Sequence, residues 1–193
     1  MVLNLPNIIT MVRIVCAPIM WWLIWSGERE WFAWILALAF TTDLVDGQLA
    51  RRLKKETRIG SVLDSYGDTL TILTGLAGAW VFEKNHFLAQ WELLSLVLSM
   101  HLVQLFLCLW RYGRPSSFHT YSAKAGALVI GCFLIYTMMF QFSDIFFFIT
   151  MAFLIIDAVE ESILVFLIPQ WRNDVKGIYW VLKDSGRSNQ KAE

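Results

Sequence analysis

The chain has little cysteine. Cys16, Cys108 and Cys132 are the only three in 193 residues, and none forms a Cys-x-x-Cys pair. No disulfide framework or cysteine zinc site is implied, and all three lie in apolar stretches as small packing residues. Net charge is also lacking. Sixteen Lys and Arg balance sixteen Asp and Glu, so composition offers no argument for nucleic-acid binding. There is no internal repeat, low-complexity segment or linker to a second domain. Residues 1–24 lack the basic start and small-residue cleavage site of a signal peptide, and Pro6-Asn7 interrupts their beginning. They are expected to remain as a first membrane helix.

What the chain has is apolar surface. Hydrophobic residues make up 57%, with ten Trp and fourteen Phe, too apolar for an ordinary soluble domain of this size. About 20 mostly apolar residues span a bilayer as a helix. Six such blocks occur, at 8–26, 31–50, 61–82, 91–110, 122–142 and 145–168. The expected fold is an all-α integral membrane protein with six transmembrane helices, one domain over 1–170, followed by a basic tail at 171–193. Within that tail, 171–182 mixes Trp171, Ile178, Tyr179 and Trp180 with Arg172 and Lys176. It reads either as a short helix on the inner leaflet or as a loosely ordered tail.

Charge orients the helices. With the N-terminus in the cytosol, thirteen of the sixteen Lys and Arg fall in inside loops or the tail. Only Arg29 and Lys84 fall outside, and Arg13 lies within the first helix. This bias puts both termini in the cytosol of a multi-pass cell-membrane protein. Trp21, Trp22, Trp25, Trp31 and Trp34 gather near the outer interface, as an aromatic belt does.

The inner ends of the second and third segments carry four carboxylates, Asp43, Asp46, Asp64 and Asp68. Carboxylates at membrane depth are costly and mark function. The pairs are spaced i,i+3 and i,i+4, so each lies on one face of its helix. Two antiparallel helices bring the pairs to matching depth. Four bare carboxylates there would repel, and hard divalent cations remove that repulsion. Two Mg²⁺ or Mn²⁺ ions fit the arrangement, and a carboxylate left partly free of metal can act as general base. Gly47, Ala50 and Gly60 leave room for a nucleotide against the helix backbones, and Arg51 can pair with a diphosphate.

The run Asp43-x-x-Asp46-Gly47-x-x-Ala50-Arg51-x(8)-Gly60-x-x-x-Asp64-x-x-x-Asp68 resembles the signature of the CDP-alcohol phosphatidyltransferase family, with every position filled. The opening Asn4-Leu5-Pro6-Asn7-Ile8-Ile9-Thr10 is similar to the start of its phosphatidylglycerophosphate synthases. The resemblance implies transfer of a phosphatidyl group from CDP-diacylglycerol to a small alcohol with release of CMP, by a homodimer with its active site on the cytosolic side. It implies Asp43, Asp46 and Asp64 as metal ligands. Asp68 is implied as the base and as a possible fourth ligand, and Gly47, Ala50, Arg51 and Gly60 as the CDP cradle.

The acceptor is less defined. Arg13, His119, Lys124 and Glu160 are candidates for binding it, and glycerol 3-phosphate is the leading acceptor. Asp157, Glu160 and Glu161 sit deep in the sixth segment, where structural pairing with Arg13 or His101 competes with a role toward an amine-bearing alcohol. One departure matters. Phosphatidylglycerophosphate synthases usually continue the third Asp as Asp-Pro-x-Ala-Asp-Lys, whereas this chain has Asp64-Ser65-Tyr66-Gly67-Asp68-Thr69. The Ser resembles phosphatidylinositol-phosphate and phosphatidylserine synthases, so an unphosphorylated or amine-bearing acceptor (serine, inositol or choline) stays open. A cation transporter is the alternative from another class. It would spread polar residues through the membrane, and here the acids cluster near one face.

Overall fold

A computed structural model describes the fold of residues 5–53, 58–116, 118, 120–172 and 175–189, with side chains for 11–42, 67–116, 118, 120–172 and 175–183. Among these residues the structure is all helical, with no strand. The helices are α1 (Leu5–Ser26), α2 (Arg29–Leu53), α3 (Arg58–Phe82), α4 (Lys84–Ala89), α5 (Trp91–Tyr112), α6 (Tyr121–Met139), α7 (Asp144–Leu167) and α8 (Ile178–Asn189). The six long helices fall on the six apolar blocks, because an apolar run without caps or breakers satisfies its backbone internally. Of these, α5 and α6 are long and apolar enough to cross a membrane. Ionisable residues also lie within the other long helices, among them Arg13 in α1 and Asp157, Glu160 and Glu161 in α7.

By packing, the chain forms two compact units. The first comprises 1–87 and 131–143, and the second 88–130 and 144–193. In the first unit α1 packs against both α2 and α3. Met20, Leu23, Phe32, Leu36 and Ala79 are buried there. Gly78 is what lets α3 lie close to α2. A Cβ at Gly78 would fall 2.2 Å from Cζ of Phe32, so the ring occupies the space a side chain would need. The end of this unit near the α1–α2 turn is tied by polar contacts. Arg29 pairs with Glu83 at 2.5 Å and donates to the Thr137 carbonyl at 2.7 Å. The guanidinium thereby serves carbonyls that the end of α6 leaves unpaired.

In the second unit α5 packs along α7. Cys108, Phe118, Leu164, Val165, Ile168 and Val175 form the core, and Ile178 and Val181 of α8 pack against it. The Tyr112 hydroxyl donates to the carbonyls of Val165 and Ile168, at 2.9 and 2.6 Å. This fastens the end of α5 to the end of α7. Residues 118–121 and 175–176 also pair, through Val175 N–H to Phe118 O at 2.7 Å and Tyr121 N–H to Lys176 O at 3.3 Å. The segment after α7 is therefore joined to the α5–α6 loop, and its helix begins at Ile178, not Trp171.

Large apolar side chains face outwards in both units. Trp25 is 86% exposed, Trp110 72% and Ile145 75%. Soluble proteins rarely expose contiguous apolar surface on this scale, and a bilayer is the solvent that suits it.

Candidate active site on the second and third helices

The aspartate motif falls on the C-terminal half of α2 and the N-terminal half of α3. Asp43, Asp46, Gly47, Ala50 and Arg51 lie in α2, and Gly60, Asp64 and Asp68 lie in α3. The two helices are in contact within the first unit. Four undescribed residues, 54–57, separate them, and a connection this short favours antiparallel neighbours. The side chains of Asp43, Asp46, Arg51 and Asp64 lie outside the described residues.

Asp68 is described. Its carboxylate accepts a hydrogen bond from Nη1 of Arg13, forming an ion pair from α3 to α1. The two ends differ in environment. Arg13 is 1% exposed and Asp68 is 41% exposed at the side chain. A buried guanidinium is tolerated only when paired and hydrogen-bonded, so Arg13 needs this contact more than Asp68 does. A carboxylate has about four lone-pair sites, so accepting from Arg13 does not exhaust Asp68. The arrangement ties one end of the motif to the buried face of α1. Next to it, Thr71 Oγ1 donates to the Gly67 carbonyl at 2.8 Å and adds a second bond on this turn of α3.

The donor set fits a divalent metal. Four carboxylates in pairs on two contacting helices supply hard oxygen ligands and negative charge, which suits Mg²⁺ or Mn²⁺ and not thiophilic ions. Among the described residues, which leave out the side chains of Asp43, Asp46 and Asp64, no cluster of three or more His, Cys, Asp or Glu is placed to hold a metal.

The remaining candidates lie elsewhere. Arg13 is the partner of Asp68 in the first unit. Lys124 is in the second unit, with Nζ 5.9 Å from the centre of the Tyr121 ring. His119 lies outside the described residues. Glu160 bridges two elements. It accepts from Ser122 Oγ and from the backbone N–H of Ile178, the latter at 3.1 Å. Ser122 also donates to Asp157 at 3.1 Å, and Asp157 lies 4.0 Å from His101 Nε2. Glu161 accepts from Gln104 at 2.6 Å. Asp157, Glu160 and Glu161 therefore all have partners within the second unit. The sequence signalled them as intramembrane carboxylates, but Gln104 and Ser122 carried no signal. Uncharged polar residues in apolar helices are common and gain meaning only when a partner is seen.

A profile of the CDP-alcohol phosphatidyltransferase family matches residues 3–156. A cardiolipin synthase (CMP-forming) of Streptomyces coelicolor is 39% identical over 83 residues, which is 40% of this chain and 39% of that protein. A CDP-diacylglycerol–glycerol-3-phosphate 3-phosphatidyltransferase of Cereibacter sphaeroides is 38% identical over 85 residues, 39% of this chain and 38% of its own length. A protein of the same name from Pseudomonas fluorescens is 35% identical over 77 residues, 38% of this chain and 40% of its own. The chain spans about two fifths of the length of these curated relatives. The match of 154 of 193 residues to the profile, with the filled aspartate motif on the paired helices α2 and α3, makes the chain a member of the CDP-alcohol phosphatidyltransferase family.

Proposed function

We propose that this protein transfers a phosphatidyl group from CDP-diacylglycerol to the hydroxyl of glycerol 3-phosphate and releases CMP. The observation that carries this reading is the complete aspartate motif on a contacting helix pair, in a chain whose family match spans residues 3–156. Relatives named as glycerol-3-phosphate phosphatidyltransferases support the choice of acceptor.

Asp43, Asp46 and Asp64, with Asp68 as a possible fourth ligand, would hold two Mg²⁺ or Mn²⁺ ions. Bound there, the ions supply charge neutralisation for the diphosphate and for the CMP leaving group. The residues of the chain do the rest. Gly47, Ala50 and Gly60 present bare helix backbone to the nucleotide, and Arg51 pairs with the diphosphate. Asp68 accepts the proton of the acceptor hydroxyl. The acceptor oxygen forms its bond to the phosphorus that carries diacylglycerol. The bond from that phosphorus to the bridging oxygen breaks, and its electron pair leaves on CMP. Arg13 holds the Asp68 carboxylate toward this position. Arg13, His119, Lys124 and Glu160 are proposed from the sequence as contacts of the acceptor.

The enzyme is proposed as a six-helix membrane domain over 1–170 with both termini and the active site on the cytosolic side of the cell membrane, working as a homodimer. The wholesale exposure of tryptophan and aliphatic side chains supports the membrane setting. The likeness to a CMP-forming cardiolipin synthase supports a second reading, in which the acceptor hydroxyl is carried on a lipid.

The test is CMP release from the purified full-length protein with CDP-diacylglycerol, Mg²⁺ or Mn²⁺, and a panel of acceptors. Release with glycerol 3-phosphate, and not with phosphatidylglycerol, inositol or serine, supports the reading. Release with phosphatidylglycerol alone moves the assignment to the second reading. Release with inositol or serine alone overturns both.

A further inference from the structure

One end of the second unit carries charges and rings of which the proposed transfer reaction calls on Lys124 alone. Four cations lie over aromatic rings there: Arg111 over Tyr112 at 5.9 Å, Arg114 over Trp171 at 5.5 Å, Lys124 over Tyr121 at 5.9 Å and Lys183 over Tyr179 at 5.8 Å. They come from three separate stretches of chain, and direct contacts join those stretches. Trp171 Nε1 donates to the Pro115 carbonyl at 3.4 Å, and the Trp180 and Tyr121 rings lie 5.2 Å apart.

The stretches 111–124 and 171–184 hold Arg111, Arg114, Lys124, Arg172, Lys176 and Lys183 against Asp174 and Asp184. All six cations are exposed. Beside them lies further exposed apolar surface. Trp110 is exposed at the end of α5, and Tyr179, Trp180 and Leu182 are exposed on α8. Ile178 and Val181 of the same helix pack on the core. A helix seated on the protein by two residues, with Tyr179, Leu182 and Lys183 exposed around it and an apolar helix bundle next to it, is suited to a membrane surface.

The helix is also fixed in place. Glu160 accepts from the backbone N–H of Ile178 at the start of α8. Gly177 just before it has φ +146°, and a Cβ there would fall 2.8 Å from Glu160 Oε1. Only glycine combines that backbone angle with that close approach. The outer face of α8 is therefore held at a set position relative to α7.

We propose that α8, the start of α6 and the end of α5 together form a seat for the anionic phospholipids of the adjoining leaflet. Cations over aromatic rings take the headgroup phosphates, while Tyr179, Leu182 and Trp180 enter the interfacial layer. Charge complementarity selects an anionic bilayer over a neutral one, at about fivefold per cation near the surface. The seat is independent of which acceptor the enzyme uses.

The test places a nitroxide at position 182 by Leu182→Cys in the full-length protein. Cys16 and Cys132 are replaced by Ala, and Cys108 is kept because it is fully buried. The protein is reconstituted in nanodiscs of phosphatidylcholine, with or without phosphatidylserine. Accessibility to oxygen and to a water-soluble nickel chelate is read by power saturation. The seat predicts an oxygen-accessible, nickel-shielded label only when phosphatidylserine is present. It predicts that Lys176→Gln with Lys183→Gln lowers that docking by roughly 25-fold. A second label at Ile163→Cys, on the exposed face of α7, should stay lipid-facing throughout and reports an intact fold. A label at 182 that is water-exposed in both discs overturns the proposal. So does one that is lipid-buried in both and insensitive to the two Lys changes.

Discussion

Replacing Arg13 by Met should weaken the protein through Asp68 and not through the loss of side-chain volume. Met keeps an unbranched apolar stem of similar reach in the α1–α3 contact and removes the guanidinium. Breaking a fully buried ion pair costs about 3–5 kcal/mol, and breaking an exposed one about 0–1 kcal/mol. Here one partner is 1% exposed and the other 41%, so solvent screens the carboxylate end. An intermediate coupling of about 2 kcal/mol follows. In CMP release that is about a thirtyfold loss of kcat/KM, if Arg13 acts by holding Asp68. The decisive design is a double-mutant cycle of Arg13→Met and Asp68→Asn. Thermal unfolding in detergent gives a second readout that needs no activity, where about 2 kcal/mol corresponds to roughly 4–8 °C at this chain length. The account predicts that Arg13→Met costs much less thermal stability in the Asp68→Asn background than in the wild type. Equal cost in both backgrounds would refute the coupling, and Arg13 would then act through other contacts.

Four further outcomes are expected. Asp43→Asn, Asp46→Asn and Asp64→Asn should each lower CMP release by at least about a hundredfold, and EDTA should abolish release in the wild type. Partial recovery of a variant at high Mn²⁺ would mark its residue as a ligand. Gly78→Ala should destabilise the first unit by about 1–3 kcal/mol, because its Cβ meets the Phe32 ring, and Phe32→Leu in the same chain should restore most of the loss in thermal unfolding. Glu160→Ala should remove the acceptor of the Ile178 amide and speed its hydrogen exchange by about fivefold, as loss of a helix cap does, while Glu160→Gln keeps an oxygen there and should exchange nearly as the wild type. Arg29→Gln should lower thermal stability by about 1 kcal/mol, since the mostly buried Glu83 loses Arg29 and keeps His86 as a partner.

The six long helices were legible because a membrane-length apolar run leaves the backbone one inexpensive option. The aspartate motif was legible because charge inside such a run is rare enough to stand out. Contacts made by side chains far apart in sequence were not. Arg13 reads in the sequence as a possible partner of the acids at 157, 160 and 161, whereas the structure pairs it with Asp68, 55 residues away on α3. Periodicity puts both on helices but does not select the pairing. The short helix α4 was also hidden, since Lys84–Ala89 has six residues and no apolar period to read. The tail was ambiguous for a similar reason. Its helix begins only after Gly177, and the carboxylate that caps it comes from Glu160 on another helix. His119 and the side chains of Asp43, Asp46 and Asp64 lie outside the described residues, so for them the sequence still carries the argument.

The measurement that tests the central claim most directly is metal-dependent CMP release from CDP-diacylglycerol and glycerol 3-phosphate by the full-length protein, with Asp68→Asn beside the wild type. The account predicts release that needs Mg²⁺ or Mn²⁺ and is lost in Asp68→Asn, although that variant still binds CDP-diacylglycerol. Release that survives in Asp68→Asn would contradict its role as base. A folded wild-type protein that does not bind CDP-diacylglycerol would contradict the proposed reaction itself.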